Sequence, residues 1–169
     1  MEAIKGYFAC PLASGDDPVK AKSMVGLIEE MGFVVLDRHV IVGYDKSKEE
    51  FCKNSGIKVE DYGPIAVRRQ DLEWVLESEF MVLDCTNGSW GGGIEFDHAT
   101  VVRMLLGLEP IPILCLRHKD SKPSYLIWGI DPKQFPMVWL REYKCLKEAL
   151  DIILEFFNHF FPNKEVQND

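Results

Sequence analysis

The sequence has few basic residues for its size. Its 169 residues include 19 Lys and Arg against 27 Asp and Glu, which gives a formal net charge of −8 at pH 7. Such a charge repels the phosphate backbone that supplies much of the affinity for DNA and RNA. A nucleic-acid polymer is therefore not expected as a partner. A single small anion can still bind, because a local cluster of donors suffices to hold it.

The chain also lacks long apolar segments, paired cysteine motifs and metal-binding motifs. No segment approaches the roughly 18 apolar residues of a membrane span, and the first residues contain no signal-peptide core. The five cysteines include no CxxC pair, and the four histidines form no HExxH. Neither a disulfide framework nor a metal site is expected. We predict a protein of the cytosol, or of cytosol and nucleus, without a membrane partner.

Short apolar runs alternate with longer amphipathic stretches along the chain, as is typical of parallel strands joined by crossover helices. This pattern predicts a three-layer α/β sandwich with a doubly wound, five-stranded parallel sheet of the Rossmann or flavodoxin type. A single domain is expected over residues 1–162, followed by a frayed tail over 163–169. The predicted strands are 4–10, 33–39, 80–84, 111–116 and 137–140.

Helical periodicity marks four segments: 17–31, 64–77, 93–108 and 144–161. The third is so rich in aliphatic residues that most of its surface is expected to be buried. Residues 41–64 form a polar, glycine-dotted stretch that predicts either a functional lid or a mobile insertion. Ligands of such sheets bind outside the carboxyl ends of the strands. This rule directs attention to the loops at 11–17 and 85–93 and to the segment that begins at Asp37.

A glycine-rich segment, TNGSWGGGIEFDHA, follows the third predicted strand and begins a helix. Gly91 and Gly93 supply a G-x-G, but Phe96 stands where a dinucleotide fingerprint needs a third glycine, and no P-loop lysine follows. No cofactor is therefore predicted. The segment is either a tight strand-to-helix turn or a place where backbone amides and Ser89 bind an anion.

Several side chains near these loops could carry chemistry. Glu95 lies about one turn into the glycine-rich helix, where the helix dipole favours the ionised form that a nucleophile needs. Its neighbours Asp97 and His98 are alternatives, and Glu95 and Asp97 cannot both face the site. Asp71, in RRQDLEWV, borders an apolar helix face, where partial desolvation suits acid or base catalysis. Each of these positions is also compatible with an ordinary solvated side chain.

Four segments taken together, YFACPLAS, LDRHV, RRQDLEWV and TNGSWGGGIE, resemble the nucleoside 2-deoxyribosyltransferase superfamily. The likeness is to its 2′-deoxynucleoside 5′-monophosphate N-hydrolase branch in particular, and it runs in order from Tyr7 to the final helix. The resemblance implies an enzyme that hydrolyses the N-glycosidic bond of 2′-deoxyribonucleoside 5′-monophosphates. The products would be free base and 2-deoxyribose 5-phosphate.

The resemblance also implies roles for four catalytic side chains. Glu95 matches the nucleophile, which forms a covalent deoxyribosyl-enzyme, and Asp71 matches the acid/base residue. Tyr7 matches a tyrosine on the first strand that helps to place the nucleophile. His39, expected at the end of the second strand, matches a histidine near the base. Without the resemblance, Tyr7 and His39 would be interpreted as structural residues.

The phosphate site implied by the resemblance consists of hydroxyl groups and the glycine turn. Ser89, beside the glycine turn with Gly91 and Gly93, matches a serine that contacts the phosphate, and Ser14, in the loop after the first strand, is a further candidate to hold it. Ser124, in KPSYLIWGI, matches a serine that the neighbouring subunit supplies, which implies a homodimer.

The sequence departs from the N-hydrolase pattern after the first strand, where Pro11, Leu12, Ala13 and Ser14 replace a loop that normally contains an arginine. The ACP start of this loop and the KPSYLIWGI stretch are closer to the transferases, which act on unphosphorylated nucleosides. A nucleoside 2′-deoxyribosyltransferase is therefore an alternative interpretation. A nucleotide-binding module without catalytic activity is a further one.

Overall fold

The computed structural model of the protein describes residues 3–11, 18–42 and 44–162. Ser14, which the sequence places at the phosphate site, and the tail predicted over 163–169 lie outside these residues. No helix in the described ranges is long and apolar enough to cross a membrane.

The centre of the fold is a sheet of five parallel strands, as predicted. Its strands follow the order β2-β1-β3-β4-β5, so the chain adds β2 on one side of β1 and then continues on the other side with β3. The reversal between β1 and β3 is the point at which open parallel sheets bind ligands. The strands are β1 Lys5–Ala9, β2 Val34–Val35, β3 Phe80–Asp84, β4 Ile113–His118 and β5 Val138–Tyr143.

Helices cover both faces of the sheet. They are α1 Pro18–Glu30, α2 Tyr44–Ser55, α3 Pro64–Glu77, α4 Trp90–Asp97, α5 Arg103–Leu105, α6 Tyr125–Trp128 and α7 Leu146–Phe160. Short 3-10 turns occur at Arg38–Ile41 and Val59–Asp61, and a π-helical turn, His98–Val102, joins α4 to α5.

Alternate residues of each strand pack into two separate apolar cores, because successive side chains of a strand point to opposite faces. Phe8 and Val82 face α1 and α7, where the core includes Met24 and Phe156. Tyr7 on β1 belongs to the other core, together with side chains of α2, α3 and α4: Phe51, Trp74, Val75 and Phe96. The alternation along the strand therefore places the Tyr7 side chain on the face that carries α3 and α4.

The segment predicted as a strand over 33–39 is mostly not a strand. Only Val34–Val35 pair with β1, and the chain then enters the 3-10 turn Arg38–Ile41. The pairing ends because the Asp37 side chain accepts the hydrogen bond of the Phe8 N–H, 2.8 Å away, and the β2 backbone turns out of the sheet. The prediction that His39 ends the second strand is thus wrong, since His39 lies within the 3-10 turn.

Two further predictions of local structure are also wrong. The stretch 41–64 is not a long loop, because it contains α2, which buries Phe51 and Cys52 in the core. The third predicted helix begins earlier than residue 93, at Trp90, and its end is not buried: Leu105 is 77% and Leu106 59% exposed. Aliphatic composition alone could not separate a buried helix end from an exposed apolar surface.

Candidate active site

Tyr7 and Glu95 meet at the carboxyl edge of the sheet. The Tyr7 hydroxyl donates a hydrogen bond to Oε1 of Glu95 over 3.1 Å. Tyr7 is fixed by its place on the inner strand β1 and is only 2% exposed. Glu95 lies one turn into α4, the helix that follows β3. The contact therefore connects the two strands between which the strand order reverses.

The glycine turn allows α4 to begin close to β3. Ser89 is the N-cap of α4, and its hydroxyl oxygen accepts a hydrogen bond from the Gly92 N–H at 3.2 Å. A Cβ on Gly92 would lie 3.2 Å from Cδ1 of Leu83, which is tight, and a Cβ on Gly91 would lie 3.8 Å from Oε1 of Glu95. Gly92, which the sequence analysis did not single out, thus lets the helix approach the sheet, and Gly91 keeps the space beside the carboxylate open.

The neighbouring candidates, Asp97 at the end of α4 and His98 at the start of the π-helical turn, have other surroundings. Asp97 is exposed, and the Nδ1 atom of His98 forms a hydrogen bond with the Ile94 carbonyl, 3.0 Å away. A Cβ on Gly93 would meet nothing within 4 Å, so packing gives no reason for a glycine there. Of the alternatives Glu95, Asp97 and His98, the geometry brings Glu95 to the tyrosine.

Asp71 adds a second carboxyl group to the site. It lies on α3, three residues before the buried Trp74, and its Oδ1 atom is buried without a hydrogen-bond partner in the described part of the chain. Burial, and next the charge of Glu95, raise the pKa of Asp71 to about 7. A carboxyl group with such a pKa is available as a proton donor near neutral pH.

Glu95 has a raised pKa for a similar reason. Burial raises the pKa of its carboxyl group to about 7, although the hydrogen bond from Tyr7 lowers it. Burial, followed by the charge of Glu95, holds the pKa of Tyr7 well above its usual value, so the phenol remains a donor. Two carboxyl groups that lie close together lose their protons in separate steps. Near neutral pH, one of the pair Glu95 and Asp71 can be ionised while the other keeps its proton.

His39 lies in an aromatic pocket formed by Phe51 and Trp74, which belong to the same core as Tyr7. Its ring centre is 5.3 Å from that of Phe51 in an edge-to-face arrangement and 6.1 Å from that of Trp74. Burial lowers the pKa of His39 to about 4, and Nδ1 has no hydrogen-bond partner among the described residues. The imidazole is therefore uncharged at neutral pH. Its surroundings could not be predicted, because Phe51 belongs to the helix that was expected to be a loop.

Asp37 is a buried acidic residue that the sequence analysis used only to mark the start of a segment. Its side chain is fully buried, and the charges of Glu95 and Asp71 both act on it. Burial is the largest cause that raises the pKa of Asp37 well above its usual value, while the hydrogen bond from Phe8 opposes it. The available sequence signal was an acidic residue directly after an apolar run at the carboxyl edge of the sheet.

Ser124 makes no hydrogen bond to this cluster among the contacts of the described residues. Ser124 is exposed at the N-cap position of α6, where its carbonyl accepts the Trp128 N–H at 2.8 Å. Among the described residues, no group of three or more His, Cys, Asp or Glu side chains could hold a metal ion. The structure thus brings Tyr7, Asp71 and Glu95 together as a candidate site, and the charges of Glu95 and Asp71 also act on Asp37.

Comparison with known proteins finds similarity over most of the chain. No family model matches the chain. A protein of Thermofilum pendens with the name "Putative 2'-deoxynucleoside 5'-phosphate N-hydrolase 1" is 28% identical over 153 residues, which cover 89% of this chain and 95% of that protein. The solved structure of the Clostridium botulinum CMP N-glycosidase BcmB superposes with a TM-score of 0.62 at 16% identity, covering 90% of this chain and 98% of that one.

The chain has an α/β fold with a parallel sheet, and its similarity to proteins named as an N-hydrolase and an N-glycosidase supports an enzyme of the N-glycosidase or deoxyribosyltransferase type. The resemblance to the nucleoside 2-deoxyribosyltransferase superfamily, predicted from four sequence segments, is confirmed. The likeness covers nearly the whole chain in both comparisons.

Proposed function

We propose that the protein hydrolyses the N-glycosidic bond of 2′-deoxyribonucleoside 5′-monophosphates and releases free base and 2-deoxyribose 5-phosphate. The observation that carries this proposal is the hydrogen bond between Tyr7 and Glu95 at the carboxyl edge of the sheet. Beside it, Asp71 provides a second carboxyl group with a pKa of about 7. Glycosidic cleavage needs this combination: one carboxylate to stabilise the positive sugar and one acid to protonate the leaving group.

The reaction is proposed to proceed in two balanced steps. In the first, an Oε atom of Glu95 bonds to C1′ of the sugar, the C1′–N bond breaks, and Asp71 gives a proton to the departing base. In the second, water adds to C1′ and gives a proton to Asp71, while the bond from C1′ to Glu95 breaks. Two displacements at one carbon predict a product with retained configuration.

Tyr7 is proposed to hold Glu95 in position for this attack and to favour its ionised form, because its hydrogen bond lowers the pKa of the carboxyl group. His39 is proposed to line the base side of the pocket as a neutral ring, since its pKa of about 4 leaves it without charge at neutral pH. It therefore does not serve as an imidazolium acid under those conditions.

The substrate phosphate is proposed to bind at the start of α4. Ser89, Gly91 and Gly93 lie at this helix N-terminus, and the helix dipole favours an anion there. Ser14 and the partner subunit's copy of Ser124 would complete the site. The names of both similar proteins include a nucleoside phosphate, which supports a phosphorylated substrate over a free nucleoside.

The substrate proposal is tested by measuring base release from dCMP, dGMP, dTMP and dAMP and from the corresponding deoxynucleosides. CMP tests whether the 2′-hydroxyl is tolerated, and a second free base tests for base exchange. We expect release from deoxynucleoside monophosphates without an acceptor base. Activity on unphosphorylated nucleosides only, or turnover that requires a second base, would contradict the proposal and support the transferase alternative. Nucleotide binding without any turnover would indicate a non-catalytic module.

We further propose that the active form is a homodimer. Apolar side chains are almost fully exposed next to residues assigned to the phosphate site: Trp90, beside Ser89, is 95% exposed, and Leu126, near Ser124, is 92% exposed. Large exposed apolar surfaces next to a site are typical of protein interfaces. A second copy of the chain would cover these side chains and bring its Ser124 toward the glycine turn.

Replacing Leu126 with glutamate should disrupt this dimer, because a charge would be buried in the interface. We expect sedimentation velocity to show that Leu126→Glu is a monomer, and we expect its rate of base release to be lower than that of the wild type. The matched control is Val19→Glu, since Val19 is also exposed (64%) but lies on α1, on the opposite side of the sheet. A wild-type monomer with full activity would contradict the proposed dimer.

A further inference from the structure

We propose that Asp37 is a positioning residue for Glu95: it binds the Phe8 backbone at the end of β1 and thereby fixes Tyr7, which donates to Glu95. The proposal rests on the role given to Glu95 under the proposed function. Its geometric basis is two hydrogen bonds that the β1 backbone connects. The Phe8 N–H donates to Oδ1 of Asp37, and the Tyr7 hydroxyl donates to Oε1 of Glu95.

The first hydrogen bond replaces one that the sheet no longer supplies. Leu36 donates its N–H to the Gly6 carbonyl at 3.0 Å, as in an ordinary parallel ladder. The next N–H of β1 on that side belongs to Phe8, but the chain has already turned out of the sheet. Oδ1 of Asp37 accepts this N–H at 2.8 Å instead. A side chain thus anchors the edge of β1 at the residue that follows Tyr7.

Asp37 is also the point where the His39 segment begins. Its backbone carbonyl accepts the Val40 N–H at 3.1 Å and opens the 3-10 turn that carries His39. Its side chain makes no cap hydrogen bond to that turn, because it is directed to Phe8. Asp37 therefore fixes the position of two residues. Its side chain fixes Tyr7 through Phe8, and its backbone carbonyl fixes the turn that contains His39.

Because the hydrogen bond between Phe8 and Asp37 is buried, its loss would be costly. Asp37 is 0% exposed, and the Phe8 N–H lies in the interior, where an unpaired donor is costly. Loss of the acceptor would drive the end of β1 to move until Phe8 finds another partner. Because Tyr7 is the adjacent residue and reaches Glu95 over 3.1 Å, a small backbone movement weakens its hydrogen bond.

The charged groups that act on Asp37 come from other elements: Glu95 on α4 and Asp71 on α3. Tyr7 on β1 also faces it, since the charge of Asp37 contributes to the raised pKa of that phenol. Burial raises the pKa of Asp37, and the hydrogen bond from the Phe8 N–H, which lowers it, needs an acceptor oxygen in this position. A neutral side chain with an oxygen in the same place should then be an adequate substitute.

This reasoning separates a positioning role from a role of charge. Asp37→Asn keeps an oxygen acceptor for Phe8 without an ionisable group, whereas Asp37→Val keeps a similar shape without an acceptor. Tyr7→Phe removes the hydrogen bond to Glu95 directly and serves as the reference. The double variant Asp37→Val/Tyr7→Phe shows whether Asp37 acts through Tyr7, because two changes on one path do not add.

The measurement is the titration of the Glu95 carboxyl carbon by NMR in protein labelled at glutamate, with Glu95→Gln to assign the signal. The Tyr7 hydrogen bond lowers the pKa of Glu95, so Tyr7→Phe should shift that titration to higher pH. We expect Asp37→Val to shift it in the same direction, Asp37→Asn to leave it in place, and the double variant to match Tyr7→Phe. If Asp37→Val does not fold, Asp37→Ser, which retains a shorter acceptor, should give a shift of the same sign.

An unchanged Glu95 titration in Asp37→Val or Asp37→Ser would overturn the proposal, as would a shift in Asp37→Asn as large as in Asp37→Val. Additive shifts in the double variant would show that Asp37 does not act through Tyr7 and would also overturn it. The titration requires no turnover. Failure of the proposed function would appear as absence of base release in the wild-type protein, while the pattern of NMR shifts remained as expected.

Discussion

Glu95→Gln is expected to lower kcat/KM for base release by about 10²–10³-fold or more, since 10²–10³-fold is the scale of loss when a group that stabilises transition-state charge is removed. The amide oxygen can still accept the hydrogen bond that Tyr7 donates to Oε1 in the wild-type protein. It carries no negative charge, so it neither bonds readily to C1′ nor stabilises a cationic sugar. Steady-state base release by the purified variant provides the measurement.

The matched control for this variant is Asp97→Asn, which changes an exposed carboxylate two residues further along the chain. It should retain the wild-type rate. Glu95→Gln should still bind a deoxynucleoside monophosphate, because the residues assigned to the phosphate are unchanged. Comparable activity of Glu95→Gln and the wild type would contradict the assignment of Glu95 as the nucleophile.

Asp71→Asn is expected to reduce turnover by about 10²–10⁴-fold, the usual contribution of general acid–base catalysis. An amide cannot give a proton to the departing base or take one from water. The defect should be smaller for a substrate whose leaving group needs no proton, such as a nitrophenyl 2-deoxyriboside 5-phosphate. The initial release of nitrophenol measures how fast the glycosyl-enzyme forms from that substrate.

Glu73→Gln is the control for Asp71→Asn, because Glu73 is an exposed carboxylate on the same helix, α3. The pH profile provides a second check. The reaction needs Glu95 ionised and Asp71 protonated, and both groups have a pKa of about 7, so kcat/KM should pass through a maximum near neutral pH. Asp71→Asn should lose the alkaline limb. Equal losses for both leaving groups would contradict the role of Asp71 as the acid.

The fold could be predicted because the strands β1, β3 and β4 are continuous apolar runs, as buried parallel strands require. The predicted helix 64–77 coincides with α3, which begins with proline and buries Trp74 and Val75. α2 was missed because its few buried residues, Phe51 and Cys52 among them, stand in a strongly polar segment. Tertiary packing, which a single sequence does not display, determines that helix.

The candidate site was only partly predictable for a related reason. The resemblance selected Glu95, Asp71 and Tyr7, and the structure brings these three together at the edge of the sheet. Asp37 was not selected, because its contact is with the backbone of Phe8, 29 positions away in the chain. Ser124 is exposed on α6, and its assignment to a site depends on a second subunit that the sequence of one chain cannot place.

The central claim, that Glu95 forms a bond with the sugar, is tested most directly by trapping the intermediate. A 2-fluoro-2-deoxyribosyl 5-phosphate with a nitrophenyl leaving group should form the glycosyl-enzyme faster than water resolves it. Intact-protein mass spectrometry should then show one added sugar phosphate per chain, and peptide sequencing should locate it on Glu95. Release of nitrophenol without any adduct, or an adduct on another residue, would contradict the claim.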